Sequence, residues 1–326
     1  MTRTLLAALC AVFMAAPAFA QDTTVAPTFA YAEKPKEDAK RTGWQAEAKA
    51  GLLWLAGNSD STSLSAGLKI TRDDLWQRYS LTANYAYAKS RLYVGPDPTQ
   101  QLPIGPDGKP VVTSFDQLRA DSALSARLWN VTPRFDQWII HRNAPGDTSV
   151  YVLGNIASDF AAGKKLFGGG QVGVSTLLVK AGKHSLTGEL GYDYTYLQPY
   201  DPSPGVHAEG YGIHSLRAAL AYIWDISKAT KFTAGAEYLI NLNKETGAPD
   251  PNDPTGVPAF QDHRVNAIVG LTTQVYERLS LNVSWTGRYD AKPNLATLPA
   301  GVSSSSRIFL RTFDSITQVQ FVYTFG

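Results

Sequence analysis

The segment FDSITQVQFVYTF, Phe313–Phe325, decides the fold class of this chain. Residues of one parity are mostly aromatic or aliphatic, whereas the alternate residues are mostly polar. Because a β-strand sends successive side chains to opposite faces, this period of two predicts a strand with one apolar and one polar face. Such a strand needs an apolar surround on one side and water on the other. In a secreted bacterial-type chain, a strand of an outer-membrane barrel fits best.

The N-terminus predicts export. Arg3 is followed by an apolar run over residues 5–14, and Ala18-Phe19-Ala20 forms a small-x-small cleavage site. Residues 1–20 are therefore predicted to be a signal peptide, whose removal takes away Cys10, the one cysteine. Residues 21–42 are polar and contain proline, which predicts a flexible periplasmic segment. Residues 43–326 are predicted to form the barrel.

Charge and hydropathy exclude other classes. The chain has 30 Lys and Arg against 28 Asp and Glu, and cleavage removes only Arg3 from this balance. A nearly neutral chain indicates no nucleic-acid partner. No apolar run after residue 20 approaches the length of a membrane-spanning helix, so any membrane span must consist of strands.

The alternation of the last segment recurs throughout the chain. It predicts an all-β fold, a transmembrane antiparallel up-and-down β-barrel of about 12 strands. The last strand should pair with the first, because an open sheet edge leaves backbone groups without partners in hydrocarbon. The predicted strands cover residues 44–54, 63–71, 79–87, 115–129, 148–160, 167–180, 184–198, 212–225, 230–243, 263–276, 279–289 and 313–325.

The lengths of the connections support this topology. Short inner turns and long outer loops are typical of such barrels. Two segments depart from this asymmetry, a short outer turn at residues 57–60 and a long inner connection at residues 131–147. The long connections lie at residues 95–114, 199–210, 243–261 and 290–305, all predicted on the outer side, and the short ones at residues 73–76, 181–184, 227–230 and 276–278.

A soluble β-sandwich or a lipocalin-like barrel has the same alternation, with its apolar side chains facing a core. Three features of the sequence oppose that alternative. Aromatic residues cluster near strand ends, as in Tyr192, Tyr194 and Tyr196, which is typical of membrane interfaces. Apolar positions are often alanine at mid-strand, and the opposite parity carries too many charges for a dry core. The membrane barrel is therefore favoured.

Two segments resemble a known family. GLLWLAGNSDSTSLSAGLKITR (residues 51–72) and ERLSLNVSWTGRYDAKPN (residues 277–294), with the terminal VQFVYTF, are similar to the opening and close of YdiY-like salt-induced outer membrane proteins, a domain of unknown function. The resemblance would cover residues 44–325. It implies an outer-membrane location and a barrel, and it carries over no catalytic residues. The inserts at 95–114 and 243–261 depart from the family pattern, as does Gly326 after the last aromatic residue.

The sequence predicts no enzyme and no cofactor. No histidine lies in a nucleophile motif, and no Gly-x-Ser-x-Gly elbow occurs. Gly168, Gly170 and Gly173 match the spacing of a dinucleotide fingerprint, but a strand-like run follows Gly173 where that fingerprint needs a helix. These glycines are predicted to bend the strand or to permit close packing.

Acidic residues in the long connections allow one metal hypothesis. Glu245, Asp250, Asn252 and Asp253 offer oxygen ligands that suit calcium. Their order departs from a calcium-binding loop, and mixtures of Pro, Asp and Gly are ordinary turn chemistry. The sequence therefore predicts no metal site.

The charged residues of the polar parity are the candidate functional set, since they face the lumen if the apolar parity meets lipid. Either they pair across the interior and plug it, or they line a water-filled path that selects solutes by charge. Seven are basic and five acidic, which favours anionic solutes. The candidates are Glu47, Lys49, Lys69, Arg119, Asp121, Arg127, Glu189, Asp193, Arg217, Glu237, Arg264 and Arg288.

Two functions remain open from the sequence. The first is a narrow channel for small polar or anionic solutes in the bacterial outer membrane. The second is a structural or interaction barrel that acts through its long external loops without transport. In both cases the expected partners are the outer-membrane lipid and the barrel-assembly machinery, and the channel adds small solutes.

Overall fold

The computed structural model describes residues 43–56, 61–141, 144–159, 164–201, 208–246, 256–293, 301–303, 306, 308 and 312–325. Within these ranges, residues 53–56, 61–63, 88–94, 115, 120–128, 159 and 314 are described by their backbone alone. The predicted signal peptide and periplasmic segment lie outside the described residues.

Twelve antiparallel strands form one closed barrel in which each strand pairs with its neighbours in the chain. The prediction of a barrel of about 12 strands is confirmed. The strands are β1 (Gly43–Ala56), β2 (Ser61–Asp73), β3 (Gln77–Pro96), β4 (Leu118–Ile140), β5 (Thr148–Asp159), β6 (Lys164–Ala181), β7 (His184–Pro199), β8 (Tyr211–Asp225), β9 (Thr230–Asn241), β10 (His263–Tyr276), β11 (Leu279–Asp290) and β12 (Phe313–Phe325).

The barrel closes between its first and last strands. β1 and β12 pair without interruption from Ala46 opposite Phe325 to Ala56 opposite Ser315. Closure joins the two edges of the sheet, so the backbone donors and acceptors along this seam find partners in each other. The expectation that the C-terminal strand pairs with the strand beginning near Trp44 is confirmed.

The two faces of the sheet reverse the arrangement of a soluble protein. In β8, Ser215 and Arg217 are 0% and 2% exposed, whereas Leu216 and Leu220 are 46% and 49% exposed. Polar side chains therefore point inward and apolar side chains outward, as in a transmembrane barrel. A sandwich or lipocalin-like barrel would require the opposite orientation.

β4 is longer than the sequence predicts. The prediction of a long inner connection at residues 131–147 is wrong, because β4 ends only at Ile140 and β5 begins at Thr148. The strand continues through Pro133 to Ile140. Proline removes a ladder donor and usually ends or avoids a central strand, which is why the pattern stopped at residue 129. In the structure Gly154 of β5 lies beside Pro133, and a Cβ added there would lie 3.4 Å from the proline Cγ. No β5 residue pairs with Thr132 or Pro133 in the register, which runs from Val131 opposite Ile156 to Arg134 opposite Leu153, so this ladder is interrupted where proline offers no donor.

Leu118 is an apolar residue of β4 that does not face lipid. It is buried with Val112, Val302 and Ile308, which belong to two long connections. Register shifts in the β3–β4 pairing, between Ser90 and Leu92 and between Tyr93 and Gly95, interrupt simple alternation there. The alternation near residue 129 therefore does not tell which face the residues at the beginning of β4 occupy.

The two ends of the barrel differ. The connections that the structure describes in whole or in part at 97–117, 200–210, 242–262 and 291–312 share one end, called here the loop end. Those at 74–76, 141–147, 182–183, 226–229 and 277–278 share the other, called the turn end. No helix among the described residues is long and apolar enough to cross a membrane.

Candidate functional site

A group of charged side chains fills the lumen beside β4–β9. Arg134 of β4 binds the carboxylate of Asp136 two residues later on the same face, with Arg134 Nε donating to both oxygens at 3.0 and 2.9 Å. The period of two places both side chains inside the barrel. Asp136 is fully buried.

Glu189 of β7 joins this pair to a second arginine. Arg134 Nη2 donates to Glu189 Oε1 at 2.8 Å, and Arg217 Nη1 of β8 donates to Glu189 Oε2 at 2.8 Å. Each carboxylate oxygen therefore accepts from a different guanidinium group. Glu189 is 5% exposed, so these are charge-assisted hydrogen bonds away from bulk water.

Arg217 has two further partners. Its Nη1 donates to the hydroxyl of Tyr151 at 2.9 Å, and its Nη2 lies 3.4 Å from Glu237 Oε2 on β9. The guanidinium of Arg134 lies 4.3 Å from the centre of the Tyr151 ring, a cation–π geometry. We call Arg134, Asp136, Tyr151, Glu189, Arg217 and Glu237 the charge cluster.

Two glycines give the Tyr151 side chain its position. Gly173 of β6 and Gly191 of β7 are directly paired, and a Cβ added to either would lie 2.7 Å from the Tyr151 hydroxyl. Any other residue at these positions would therefore displace the ring. The predicted role of Gly173 in close packing is confirmed, and β6 continues as a strand to Ala181.

The charge cluster reaches from β4 to β9 and occupies the lumen on that side. Removing one member of a buried ion pair leaves an uncompensated charge, whereas an intact and hydrogen-bonded network holds its side chains in place. On this side the interior is packed rather than open.

The opposite wall, formed by β10–β12 and β1–β3, has a different composition. Asn282 Nδ2 donates to Thr272 Oγ1 at 2.7 Å, and Gln320 Nε2 donates to Ser65 Oγ at 3.3 Å. These are short, uncharged, polar side chains. Near the turn end Arg78 is buried and paired with Asp73, whereas the charged candidates of β1, β2 and β11 are half-buried, so water reaches the interior beside them: Glu47, Lys49, Lys69 and Arg288.

The predicted candidates therefore separate into groups. Glu189, Arg217 and Glu237 meet in the charge cluster. Asp193 is buried and accepts from Thr195 Oγ1 at 3.0 Å. Arg264 lies near the loop end, where its Nη2 donates to Ser215 Oγ at 2.6 Å.

The β4 candidates do not join the cluster. Arg119 is exposed at the beginning of the strand, beside the connection that contains Asp97. The side chains of Asp121 and Arg127 lie outside the described residues, and the backbone of Arg127 pairs with Tyr87.

Three members of the charge cluster were missed by the sequence analysis. Arg134 and Asp136 fell in the segment predicted as a connection, because Pro133 stopped the strand pattern. The alternation of Thr132, Arg134, Asp136 and Trp138, all inward and buried, was the signal that could have revealed them. Tyr151 carried no such signal, since only the fold brings it between two arginines.

Comparison with known families gives one match. Residues 138–248 match the model of a family described as "Protein of unknown function, DUF481". The match includes Tyr151, Glu189, Arg217 and Glu237 of the charge cluster and leaves out Arg134 and Asp136. No curated protein matches the sequence.

Several solved barrels are similar in outline. The NanC porin has 8% identity, covering 85% of this chain and 98% of that chain with a TM-score of 0.45. An outer membrane channel from Pseudomonas putida F1 has 9% identity, covering 90% and 100%, with a TM-score of 0.45. OmpT of Vibrio cholerae has 10% identity, covering 87% and 97%, with a TM-score of 0.38. At such low similarity, the fold rests on the strand pairing of this chain itself.

Proposed function

We propose that this chain is a barrel of the bacterial outer membrane that forms a narrow channel for small polar or anionic solutes. The observation that carries the proposal is the asymmetry of the interior. The charge cluster packs the lumen beside β4–β9, while the opposite wall keeps half-buried polar and charged side chains in contact with water. Solutes would then pass through the part of the lumen beside β10–β12 and β1–β3.

The outer surface supports the membrane location. Leu64, Leu190 and Val172 are 68%, 59% and 52% exposed on three different strands. Exposed apolar surface of this extent marks contact with lipid or a partner. The export signal predicted for residues 1–20 is consistent with the outer membrane, and the salt-induced designation implied by the family resemblance remains a prediction.

The accessible candidates support the solute class. Lys49, Lys69, Arg264 and Arg288 are half-buried and basic, whereas the half-buried acidic candidates are Glu47 and Glu237. The buried arginines of the charge cluster are neutralised by Asp136, Glu189 and Glu237. Among the half-buried candidates the bases outnumber the acids by four to two, and a net basic field concentrates anions.

Planar-bilayer recordings test this function. Purified, folded protein is expected to show unitary conductance steps. Under a salt gradient, the sign of the reversal potential should be the one expected when anions carry most of the current. Ser65→Trp fills the inner face of β2 and should lower the unitary conductance. Leu64→Trp, on the outer face of the same strand, is the matched control and should leave it unchanged. Absence of steps under conditions in which a porin conducts would refute the channel.

A structural or interaction barrel is the second candidate, and the loop end gives it an observation of its own. The connections 97–117 and 291–312 pack together: Val112 N donates to Ser306 Oγ at 2.9 Å, and Ser303 N donates to Pro110 O at 2.9 Å. Ordered loops can present a fixed surface to a partner. Normal folding without conductance, together with loss of cell or ligand binding on loop deletion, would favour this function.

A further inference from the structure

The described base of the β9–β10 connection, residues 241–246 and 256–262, docks onto the inner wall at the loop end. Val257 is fully buried against Leu197, Tyr211 and Ile213, all inward-facing residues of β7 and β8. The connection therefore narrows the lumen from inside rather than extending away from it.

Backbone contacts hold the two halves of this base together. Glu245 and Val257 form a two-way bridge, with N to O distances of 2.8 and 3.3 Å. Asn241 Nδ2 donates to Pro258 O at 3.0 Å, and Asp262 N donates to Asn241 Oδ1 at 3.0 Å. Gly256 has a φ of 110°, and a Cβ there would lie 2.1 Å from Glu245 O. Only glycine allows this approach.

Two carboxyl groups are buried in the docked base. Glu245 and Asp262 are 2% and 3% exposed, and Glu245 Oε1 and Asp262 Oδ1 have no hydrogen-bond partner among the described residues. Asp262 Oδ2 lies 3.2 Å from Arg264 Nε. An ionised oxygen buried without a donor is costly, so these groups favour a bound cation or proton.

A metal ion does not suit this place. No group of three His, Cys, Asp or Glu in the described part of the chain has the geometry of a metal site. Asp250, Asn252 and Asp253, the other ligands of the calcium hypothesis, lie outside that part. A proton is the cation that needs no coordination sphere and no cavity.

The surroundings favour the neutral form of both acids. Burial raises the pKa of Glu245 to about 8, with Asp262 and Asp290 adding to the effect and Arg264 opposing it. Burial also raises the pKa of Asp262, Arg264 opposes this effect, and Asp290 adds to it. The ionisable groups that face the two acids or Arg264 come from five strands: Lys164 of β6, Asp193 of β7, Tyr211 of β8, Arg264 of β10 and Asp290 of β11.

We propose that Glu245 and Asp262 form a proton-binding site that holds the base of the β9–β10 connection against the inner wall, and that loss of the proton releases it. A carboxyl group whose pKa is raised by folding stabilises the docked state fully below its unfolded pKa. That stabilisation is lost as the pH rises through the folded value. Release at alkaline pH would widen the loop end, an effect on transport that rests on the proposed channel function.

Hydrogen–deuterium exchange of the folded protein between pH 6 and pH 9 tests the site without any transport measurement. After correction for the intrinsic exchange rate, the protection of residues 256–262 should fall by up to about tenfold per pH unit as the pH rises towards the pKa of the docked site, and should level off above it, as expected for one linked proton. Glu245→Gln mimics the protonated acid and should remain protected at pH 9. Asp262→Asn gives the same test if the first variant does not fold.

Glu277→Gln is the matched control, because Glu277 is exposed at the turn end and should keep the pH profile of the unchanged protein. Protection that does not change with pH, or an unchanged profile in both test variants, overturns the proton site. Unitary conductance should rise over the same pH range. If protection titrates but no conductance occurs at any pH, the channel proposal fails and the proton site stands.

Discussion

At the scale of single residues, Glu189 holds the charge cluster together. Its two oxygens accept from Arg134 and Arg217, two arginines on different strands. Bulk water cannot replace the Glu189 carboxylate as a hydrogen-bond partner of either guanidinium group, because both arginines are nearly fully buried. The cluster therefore depends on one carboxylate, and this dependence can be measured.

Glu189→Gln should lower the free energy of unfolding by about 3–5 kcal/mol, because it leaves two buried arginines without their shared carboxylate. Urea unfolding of the barrel in lipid vesicles is the measurement. Glu209→Gln, at an exposed position before β8, should change the value by less than about 0.5 kcal/mol. Equal effects of the two variants would show that the cluster is solvated and does not hold the lumen wall.

At the scale of elements, each strand separates lipid from lumen by alternation. In β6, Val172 is 52% exposed on the outer face, whereas Gln171 is half-buried inside and pairs in register with Asp193. Neighbouring residues of one strand thus face different solvents. β4 shows the limit of this rule, since the strand continues through Pro133.

The two faces of β6 should respond differently to the same charge. Val172→Lys places an ammonium group against lipid near the middle of the strand and should cost about 2–4 kcal/mol of folding free energy in a bilayer. Gln171→Lys places it in the lumen near Asp193 and should be tolerated. Folding yield into vesicles and urea unfolding measure both. A soluble-type barrel would give the reverse order.

At the scale of the whole molecule, closure makes the strands one structure. The β1–β12 seam joins residues near the two ends of the barrel sequence. No local signal specifies that contact; it follows from the requirement that the sheet leave no open edge.

A disulfide across the seam tests the closure. Ala50 and Phe321 are directly opposed, so Ala50→Cys with Phe321→Cys, in a Cys10→Ser background, should cross-link and change gel mobility under non-reducing conditions. Ala50→Cys with Tyr323→Cys is the control, because Tyr323 is opposite Ala48 and lies too far along the strand. Equal cross-linking of both pairs would mean that the register is not fixed.

The sequence by itself determined the strand count, the closing partner of the last strand and the face on which Glu189, Arg217 and Glu237 lie. The strand count and the faces follow from alternation and turn residues, which act between neighbours in the chain, and the closing partner follows from the requirement that no sheet edge stay open. Pro133 stopped the strand pattern although the alternation resumes after it, and the shifted register of β3 and β4 had no signal in the sequence.

Only the tertiary structure decided which charges meet. Arg134 reaches Glu189 across three strand pairings, and Tyr151 lies between two arginines because Gly173 and Gly191 leave it space. The burial of Glu245 and Asp262 likewise depends on a connection folding back onto the inner wall. Such contacts are set by strand register and barrel closure, so they join residues that no sequence spacing relates.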